Sequence, residues 1–168
     1  MIEFRPFTRA DFPLLLDWFG REHVRRWWYD EPDTLDGMEE HYGPRLDGRE
    51  RVDSALILLD GRPIGFLQSY SADDFAGEWP VDAPPGAVGV DLLIGEEGLT
   101  GRGLGPEILR EYTAQLLRDP AVSQVIAGVE LENHASLRAF EKAGFVRARI
   151  VHVPSERAPG QLMVLERK

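Results

Sequence analysis

Residues 100–105 place three glycines at alternate positions in a short stretch, T-G-R-G-L-G, between two apolar segments. Glycine has no Cβ, so the backbone of such a loop can approach a ligand closely. The N–H groups of a helix that begins after the loop would bind a pyrophosphate without side-chain charge, and Arg102 adds a cation. It is not a Walker loop, because no Lys-Ser/Thr follows the last glycine. The other interpretation is a tight strand-to-helix connection.

One carboxylate interrupts an apolar run a few residues earlier. Asp91 lies between Val90 and Leu92 in a predicted strand over Val88–Ile94. A charged side chain at such a position is costly unless its face of the strand opens on a cleft or the charge is paired. The sequence leaves both alternatives open: a reactive carboxylate in a cleft, or an ion pair with a nearby arginine.

These two features must be positioned by an α/β arrangement of elements around a mixed sheet. The apolar patterns predict the order β-α-α-β-β-β-α-β-α-β-β. Asp60-Gly61 joins two apolar runs, Ser54–Leu59 and Pro63–Tyr70, and predicts a hairpin. The other predicted strands are Ile2–Phe7, Val88–Ile94, Val122–Leu131, Arg147–Val153 and Gln161–Glu166. The predicted helices are Phe12–Phe19, Leu35–Leu46, a helix that follows the loop Gly95–Gly105 and has Ile108, Leu109, Tyr112, Leu116 and Leu117 on one face, and Asn133–Phe140.

A second motif follows the glycine loop by about thirty residues. It runs from Asn133, which can cap the helix that follows, to Gly144, which is suited to end that helix in a left-handed conformation. Phe140 and Phe145 have the spacing of core side chains on this helix and on the next strand.

Composition limits the classes of function. The 168 residues are enough for one domain, and no cysteine is available for a disulfide, a thiolate metal site or a nucleophile. The net charge of −10 argues against nucleic acid as a partner. It would attract a polycation, and the other interpretation is that the charge only keeps the protein soluble. No apolar run approaches the roughly 20 residues that span a bilayer, and the first residues do not resemble a signal peptide. We therefore expect a cytoplasmic protein that needs no metal and binds no membrane.

The glycine loop and the 133–145 motif together resemble the acyl-CoA-binding loop and the C-terminal signature of the GNAT N-acetyltransferase superfamily. This resemblance implies a single GNAT domain over 1–168, with a mixed, mostly antiparallel central sheet that is flanked by helices and split at the acyl-CoA site. Thr100 stands where the family usually has Gln or Arg. The implied donor is acetyl-CoA, and its implied binding residues are Leu92, Leu93, Ile94, Thr100, Gly101, Arg102, Gly103, Leu104, Gly105, Asn133 and Ser136.

A closer resemblance is to the aminoglycoside 6′-N-acetyltransferases. The segments that carry it, in matching order, are Trp27-Trp28, Glu40-His41-Tyr42, Gly61–Tyr70, Trp79, Gly89–Leu93 and Gly103-Leu104-Gly105. The resemblance implies transfer to the 6′-amine of an aminoglycoside antibiotic, hence resistance, by a monomer or homodimer. It implies that Asp91 contacts the amine and acts as a base, with a backbone N–H at Leu92 or Leu93 facing the oxyanion. The substrate-binding candidates are Trp28, Tyr42, Gln68, Tyr70, Trp79, Asp91 and Glu130.

One position departs from the superfamily pattern. Phe140 stands where a tyrosine commonly supplies the proton for the leaving thiolate. Tyr112 and His134 are candidate substitutes, although a core tyrosine and an exposed histidine are the simpler interpretations. A thiol has a pKa near roughly 8.5, so its thiolate can leave without an acid.

Two other functions remain open. One is a lysine or N-hydroxylysine acyltransferase of siderophore assembly, which has a similar Gly-Val-Asp-Leu-Leu-Ile-Gly stretch. The other is a catalytically silent protein that binds acyl-CoA or sequesters a drug, which Phe140 favours. If Asp91 is not the base, Glu130 and Glu132 are the next candidates.

Overall fold

The computed structural model describes residues 1–75, 83–152 and 157–168. Its strands are β1 (Ile2–Pro6), β2 (Val52–Leu59), β3 (Arg62–Ser71), β4 (Ala87–Ile94), β5 (Gln124–Glu130), β6 (Val146–Val151) and β7 (Gly160–Glu166). Its helices are α1 (Phe12–Phe19), α2 (Glu22–Arg25), α3 (Leu35–Leu46), α4 (Leu104–Leu116) and α5 (His134–Lys142). The predicted order is confirmed, with the short helix α2 as an addition. No helix in these ranges is long and apolar enough to cross a membrane.

The strands form one sheet in the order β1-β2-β3-β4-β5-β7-β6. The pairs β1–β2, β5–β7 and β6–β7 are antiparallel, and β4–β5 is parallel. A parallel pair needs a long crossover connection, and α4 lies within the connection from β4 to β5. The mixed, mostly antiparallel sheet that the resemblance implies is confirmed.

The hairpin between β2 and β3 turns at the two predicted residues. Asp60 and Gly61 have φ values of 50° and 81°. Positive φ at both central residues is the requirement of a two-residue type I′ turn, which glycine meets without strain. The turn sets the register of β3, the strand that carries Gln68.

Residues 1–69 and 91–100 form one compact unit. Its core contains the buried side chains Phe7, Phe12, Leu15, Trp18, Phe19, Val24, Met38, Tyr42, Leu56, Phe66 and Leu93. Tyr42 of α3 meets Phe66 of β3 edge to face, with ring centroids 5.9 Å apart, a favourable aromatic geometry. This packing fixes α3 against β3 and so places the side chains of the candidate site.

The described residues within 70–90 and 101–168 form a second compact unit. Asn133 is the N-cap of helix α5, and its side chain accepts a hydrogen bond from the backbone N–H of Ser136 at 3.2 Å. The chain leaves the helix through Gly144, where φ is 102°. The predicted cap and the predicted glycine terminator of this helix are both confirmed.

Candidate active site

Asp91 lies at the end of a hydrogen-bonded chain of three side chains from α3, β3 and β4. The Nη1 group of Arg45 donates to Oε1 of Gln68 at 2.7 Å, and Nε2 of Gln68 donates to Oδ2 of Asp91 at 3.0 Å. The sequence left a choice between an open cleft and an ion pair with arginine. The structure has an arginine that acts on the carboxylate through a glutamine.

The environment of Asp91 favours its protonated form more than water does. Burial raises the pKa of this carboxyl above its ordinary value, while the hydrogen bond from Gln68 and the charge of Arg45 partly lower it. A carboxylate with a raised pKa is a better proton acceptor at neutral pH. The arrangement therefore suits a general base or the binding of a cationic amine.

A second carboxylate, Glu31, belongs to the same electrostatic environment. Its Oε2 accepts a hydrogen bond from the hydroxyl of Tyr42 at 2.7 Å. Burial raises the pKa of Glu31, and the negative charges of Asp91 and Asp30 raise it further, against the Tyr42 hydrogen bond and the charge of Arg45. The first unit thus has two carboxylates that are costly to ionise and that a bound cation would stabilise.

The two aromatic candidates of the first unit belong largely to its core. Tyr42 is 1% exposed, and its pKa is raised because burial and the charge of Glu31 both disfavour the phenolate. Its ring therefore has almost no surface to offer a sugar, and its polar contribution is the hydroxyl on Glu31. Trp28 is half-buried and stacks on Phe19 with ring centroids 6.1 Å apart, so part of its surface remains accessible.

The other predicted acceptor residues lie in the second unit or outside the described residues. Tyr70 covers Gly89 of the neighbouring strand, where an added Cβ would come within 2.5 Å of its ring. Glu130 is mostly buried and lies 3.9 Å from Nε of Arg157. Trp79 is outside the described residues.

The glycine loop has the geometry of a backbone cradle. Gly101 and Gly103 have φ values of 72° and 80°, and an added Cβ at either would meet nothing within 4 Å. Gly103 is the N-cap of α4, whose first-turn N–H groups have no carbonyl partner within the helix. Gly105 differs, because an added Cβ there would contact Ala139 of α5 at 3.4 Å. The open space and the free helix terminus fit the pyrophosphate of an acyl-CoA.

The side chains at the start of this loop contribute less than its backbone. The hydroxyl of Thr100 donates to the carbonyl of Glu97 at 2.7 Å, which uses its only hydrogen locally. Arg102 and Gly103 are exposed, and Leu104 begins α4. Arg102 is thus accessible to an anion, and its contact with a phosphate stays a prediction.

Residues Leu92–Ile94, which the resemblance implies bind acetyl-CoA, form the end of β4. Nε2 of His23 donates to the carbonyl of Ile94 at 3.0 Å, and Nη1 of Arg21 donates to the carbonyl of Gly95 at 3.0 Å. These bonds hold the end of β4 in place through His23, which lies in α2, and Arg21, which directly precedes α2. The parallel register of β4 with β5 covers Ala87–Gly89, and Leu92–Ile94 follow that stretch.

The structure supplies no acid at the position of the missing tyrosine. Phe140 is 4% exposed and packs edge to face on Phe145, with ring centroids 4.9 Å apart. The prediction that both are core residues is confirmed. Tyr112 is half-buried on α4, whereas His134 and Glu132 are exposed at the start of α5. The described residues include no cluster of side chains that could hold a metal ion.

Two residues of the site, Glu31 and Arg45, were missed from the sequence. Arg45 follows the buried residues Met38 and Tyr42 by seven and three positions, so it lies on the same face of α3. A charged residue on the buried face of a helix is a signal that could have identified it. Glu31 lies in an irregular segment and had no comparable signal.

Comparisons with known proteins agree with this fold. Residues 8–153 match the family described as "Acetyltransferase (GNAT) domain". The chain is 33% identical over 170 residues to aminoglycoside N(6′)-acetyltransferase type 1 of Klebsiella pneumoniae, covering 99% of this chain and 84% of the relative. It is 27% identical to the lysine N-acyltransferase MbtK of Mycolicibacterium paratuberculosis, over 80% of this chain and 61% of that protein.

A solved structure is similar over the same length. The crystal structure of aminoglycoside acetyltransferase AAC(6′)-Ib in complex with coenzyme A and kanamycin superposes with a TM-score of 0.90 at 32% identity. The match covers 99% of this chain and 95% of that one. Sequence and fold therefore agree over nearly the whole chain, which is an acetyltransferase of the GNAT family.

Proposed function

We propose that this enzyme transfers the acetyl group of acetyl-CoA to an amine of an aminoglycoside antibiotic, at the 6′ position, and so confers resistance. The relatives named above support the reaction and the substrate class. The observation that carries the proposal is the pair of carboxylates, Glu31 and Asp91, whose ionised forms a bound ammonium group would stabilise.

Negatively charged side chains would bind the acceptor amine and remove its proton. Asp91 accepts one hydrogen bond from Gln68 on Oδ2, and a carboxylate has further lone pairs for an amine N–H. It binds the ammonium form first and then accepts its proton, directly or through water, because only the neutral amine attacks a thioester. Glu31 contributes a second negative charge, and the net charge of −10 attracts a polycation at long range.

The donor side rests on the glycine loop and on the end of β4. The exposed backbone around Gly101 and Gly103, with the first turn of α4, would hold the pyrophosphate, and Arg102 adds charge. The backbone of Leu92–Ile94 would pair with the amides of the pantetheine arm and offer an N–H to the oxyanion. Acetyl-CoA supplies an activated acetyl thioester. Asn133 is engaged as a helix cap, so its proposed contribution is to fix α5.

We further propose that residues 1–168 act as a single acetyltransferase domain in the cytoplasm, where acetyl-CoA is available, as a monomer or homodimer. The family match over residues 8–153 supports the domain assignment. Analytical ultracentrifugation of the purified chain distinguishes the two oligomeric states.

The test is thiol release from acetyl-CoA with a panel of acceptors. The panel contains an aminoglycoside with a 6′-amine, a matched aminoglycoside with a 6′-hydroxyl, lysine and N-hydroxylysine. Turnover confined to the 6′-amine is the expected result. Preference for lysine or N-hydroxylysine would support the siderophore function instead. Acetyl-CoA binding without turnover of any amine would support a silent binding protein.

A further inference from the structure

Gln68 can be oriented in only one way between its two neighbours. A guanidinium has only hydrogen-bond donors, and an ionised carboxylate has only acceptors. The amide oxygen must therefore face Arg45 and the amide nitrogen must face Asp91, which is the arrangement observed at 2.7 and 3.0 Å. Arg45 thus determines which end of the Gln68 amide reaches the carboxylate.

Arg45 is held in place by the core rather than by solvent-exposed ion pairs. Its guanidinium lies over the ring of Tyr42, 5.1 Å from the centroid. That ring is buried, and its hydroxyl is fixed on Glu31. The Nε atom of Arg45 is buried without a hydrogen-bond partner among the described residues. Its position is therefore set by Tyr42 and Gln68, even though one of its donors remains unsatisfied.

We propose, on the basis of the proposed transferase function, that Arg45 is a positioning residue that fixes the Asp91 carboxylate through the Gln68 amide. Arg45 touches neither the reacting carboxylate nor any predicted donor-binding residue in the contacts described. Its removal would free the Gln68 amide to rotate, and Asp91 would lose both an oriented donor and a neighbouring positive charge.

The charges around Asp91 determine in which direction the loss of Arg45 shifts the pKa of this carboxyl. The groups that face this part of the site are Glu31, Tyr42, Gln68 and Arg45, with Asp30 beside Glu31 and His41 beside Arg45. Arg45 is a positive charge that acts on both Glu31 and Asp91. Without it the pKa of Asp91 rises further, so its base form is reached at higher pH.

The experiment compares the pH profiles of kcat/KM for a 6′-amino aminoglycoside in wild type, Arg45→Gln, Arg45→Lys and Arg49→Gln. Arg49→Gln is the matched control, because it removes the same charge from an exposed arginine nearby that pairs with Asp47. We expect Arg45→Gln to move the acid limb of kcat/KM to higher pH; on that limb, a shift of roughly one pKa unit lowers kcat/KM about 10-fold, and the difference from wild type narrows as pH rises above the limb. Arg45→Lys should recover part of the loss, and Arg49→Gln should match wild type.

Two further measurements distinguish a positioning role of Arg45 from a purely structural role. Gln68→Ala combined with Arg45→Gln should cost no more than the larger single effect, because both act along one path. NMR titration of the Asp91 carboxyl should give a higher pKa in Arg45→Gln than in wild type, whatever substrate the enzyme uses. An unmoved Asp91 titration, or an activity loss that is uniform across pH, would overturn the role of Arg45. Failure of wild type to acetylate any aminoglycoside would instead overturn the proposed function.

Discussion

Replacement of Asp91 by asparagine tests the proposed chemistry most directly. Asparagine has the shape of aspartate, and its side-chain oxygen can still accept the hydrogen bond from Gln68. What it removes is the negative charge and the ability to accept a proton. The substitution therefore changes the chemistry of this position while the packing of β4 stays the same.

The expected loss of activity follows from the role of a positioned base. General-base catalysis contributes about 10²–10⁴-fold to a rate, and Asp91 also orients the amine. We expect kcat/KM for the aminoglycoside to fall about 10²-fold or more, and a 10²-fold loss corresponds to about 2.7 kcal/mol of transition-state stabilisation. Binding of acetyl-CoA should be unchanged, because the glycine loop does not depend on this carboxylate.

The same substitution should not cost stability at neutral pH. Burial raises the pKa of Asp91 in the folded chain above its ordinary value, so the folded chain binds this proton more tightly than the unfolded chain does. Wild type therefore loses stability as pH rises from the ordinary pKa through the raised one, and the asparagine variant does not. We expect the Tm of Asp91→Asn to equal or exceed that of wild type at pH 7, with the difference disappearing in acid.

The assay combines steady-state thiol release, calorimetric titration with acetyl-CoA, and thermal unfolding at several pH values. Glu132→Gln is the matched control, since it is the same type of change at a carboxylate that is 88% exposed. Near-normal turnover of Asp91→Asn would refute the base assignment and move attention to Glu130. A large drop in Tm at pH 7 would refute the argument that the ionised carboxylate is costly to bury.

Three further predictions concern the donor loop, the electrostatics and the core. Gly103→Val should abolish or strongly weaken acetyl-CoA binding in calorimetry. Gly48→Val is the control, because Gly48 has a similar φ of 75° and equally open space around it, and it should leave binding intact. Equal effects of the two substitutions would contradict the loop assignment. Raising the KCl concentration should lower kcat/KM for the aminoglycoside without a parallel change in the KM for acetyl-CoA, because salt screens the attraction of a polycation to the acidic chain; a flat response would contradict steering. Gly95→Ala should lower Tm by about 6 °C or more, because its Cβ would overlap the buried Trp18 ring, whereas Gly98→Ala has open space and should leave Tm unchanged.

The local features of the fold could be predicted because each depends on a few neighbouring residues. Asp60-Gly61 specifies its turn through backbone conformation, and Asn133 and Gly144 determine the ends of α5 in the same way. Asp91 stood out because one charge in an apolar strand violates the pattern of its surroundings. Such signals need no knowledge of what lies across the sheet.

The partners of Asp91 could not be predicted, because they depend on contacts between distant parts of the chain. Gln68 is 23 residues from both Arg45 and Asp91, and only the packing of α3 on β3 brings the three together. Tyr42 was expected to face a sugar, yet it is 1% exposed. The spacing of Met38, Tyr42 and Arg45 predicts a shared helix face, but not which element covers it.

In the proposed reaction, the acid–base groups among the described residues act on the acceptor amine more than on the leaving thiolate. Phe140 is buried against Phe145 and has no proton to give, and a thiolate whose conjugate acid has a pKa near about 8.5 can leave unaided. The amine, by contrast, must lose a proton before it can attack. Burial raises the pKa of Asp91, which increases its basicity, while Gln68 and Arg45 oppose the shift and favour the ionised form. A base needs both properties at neutral pH, and under the proposed function the opposing effects at Asp91 provide them for the acceptor amine.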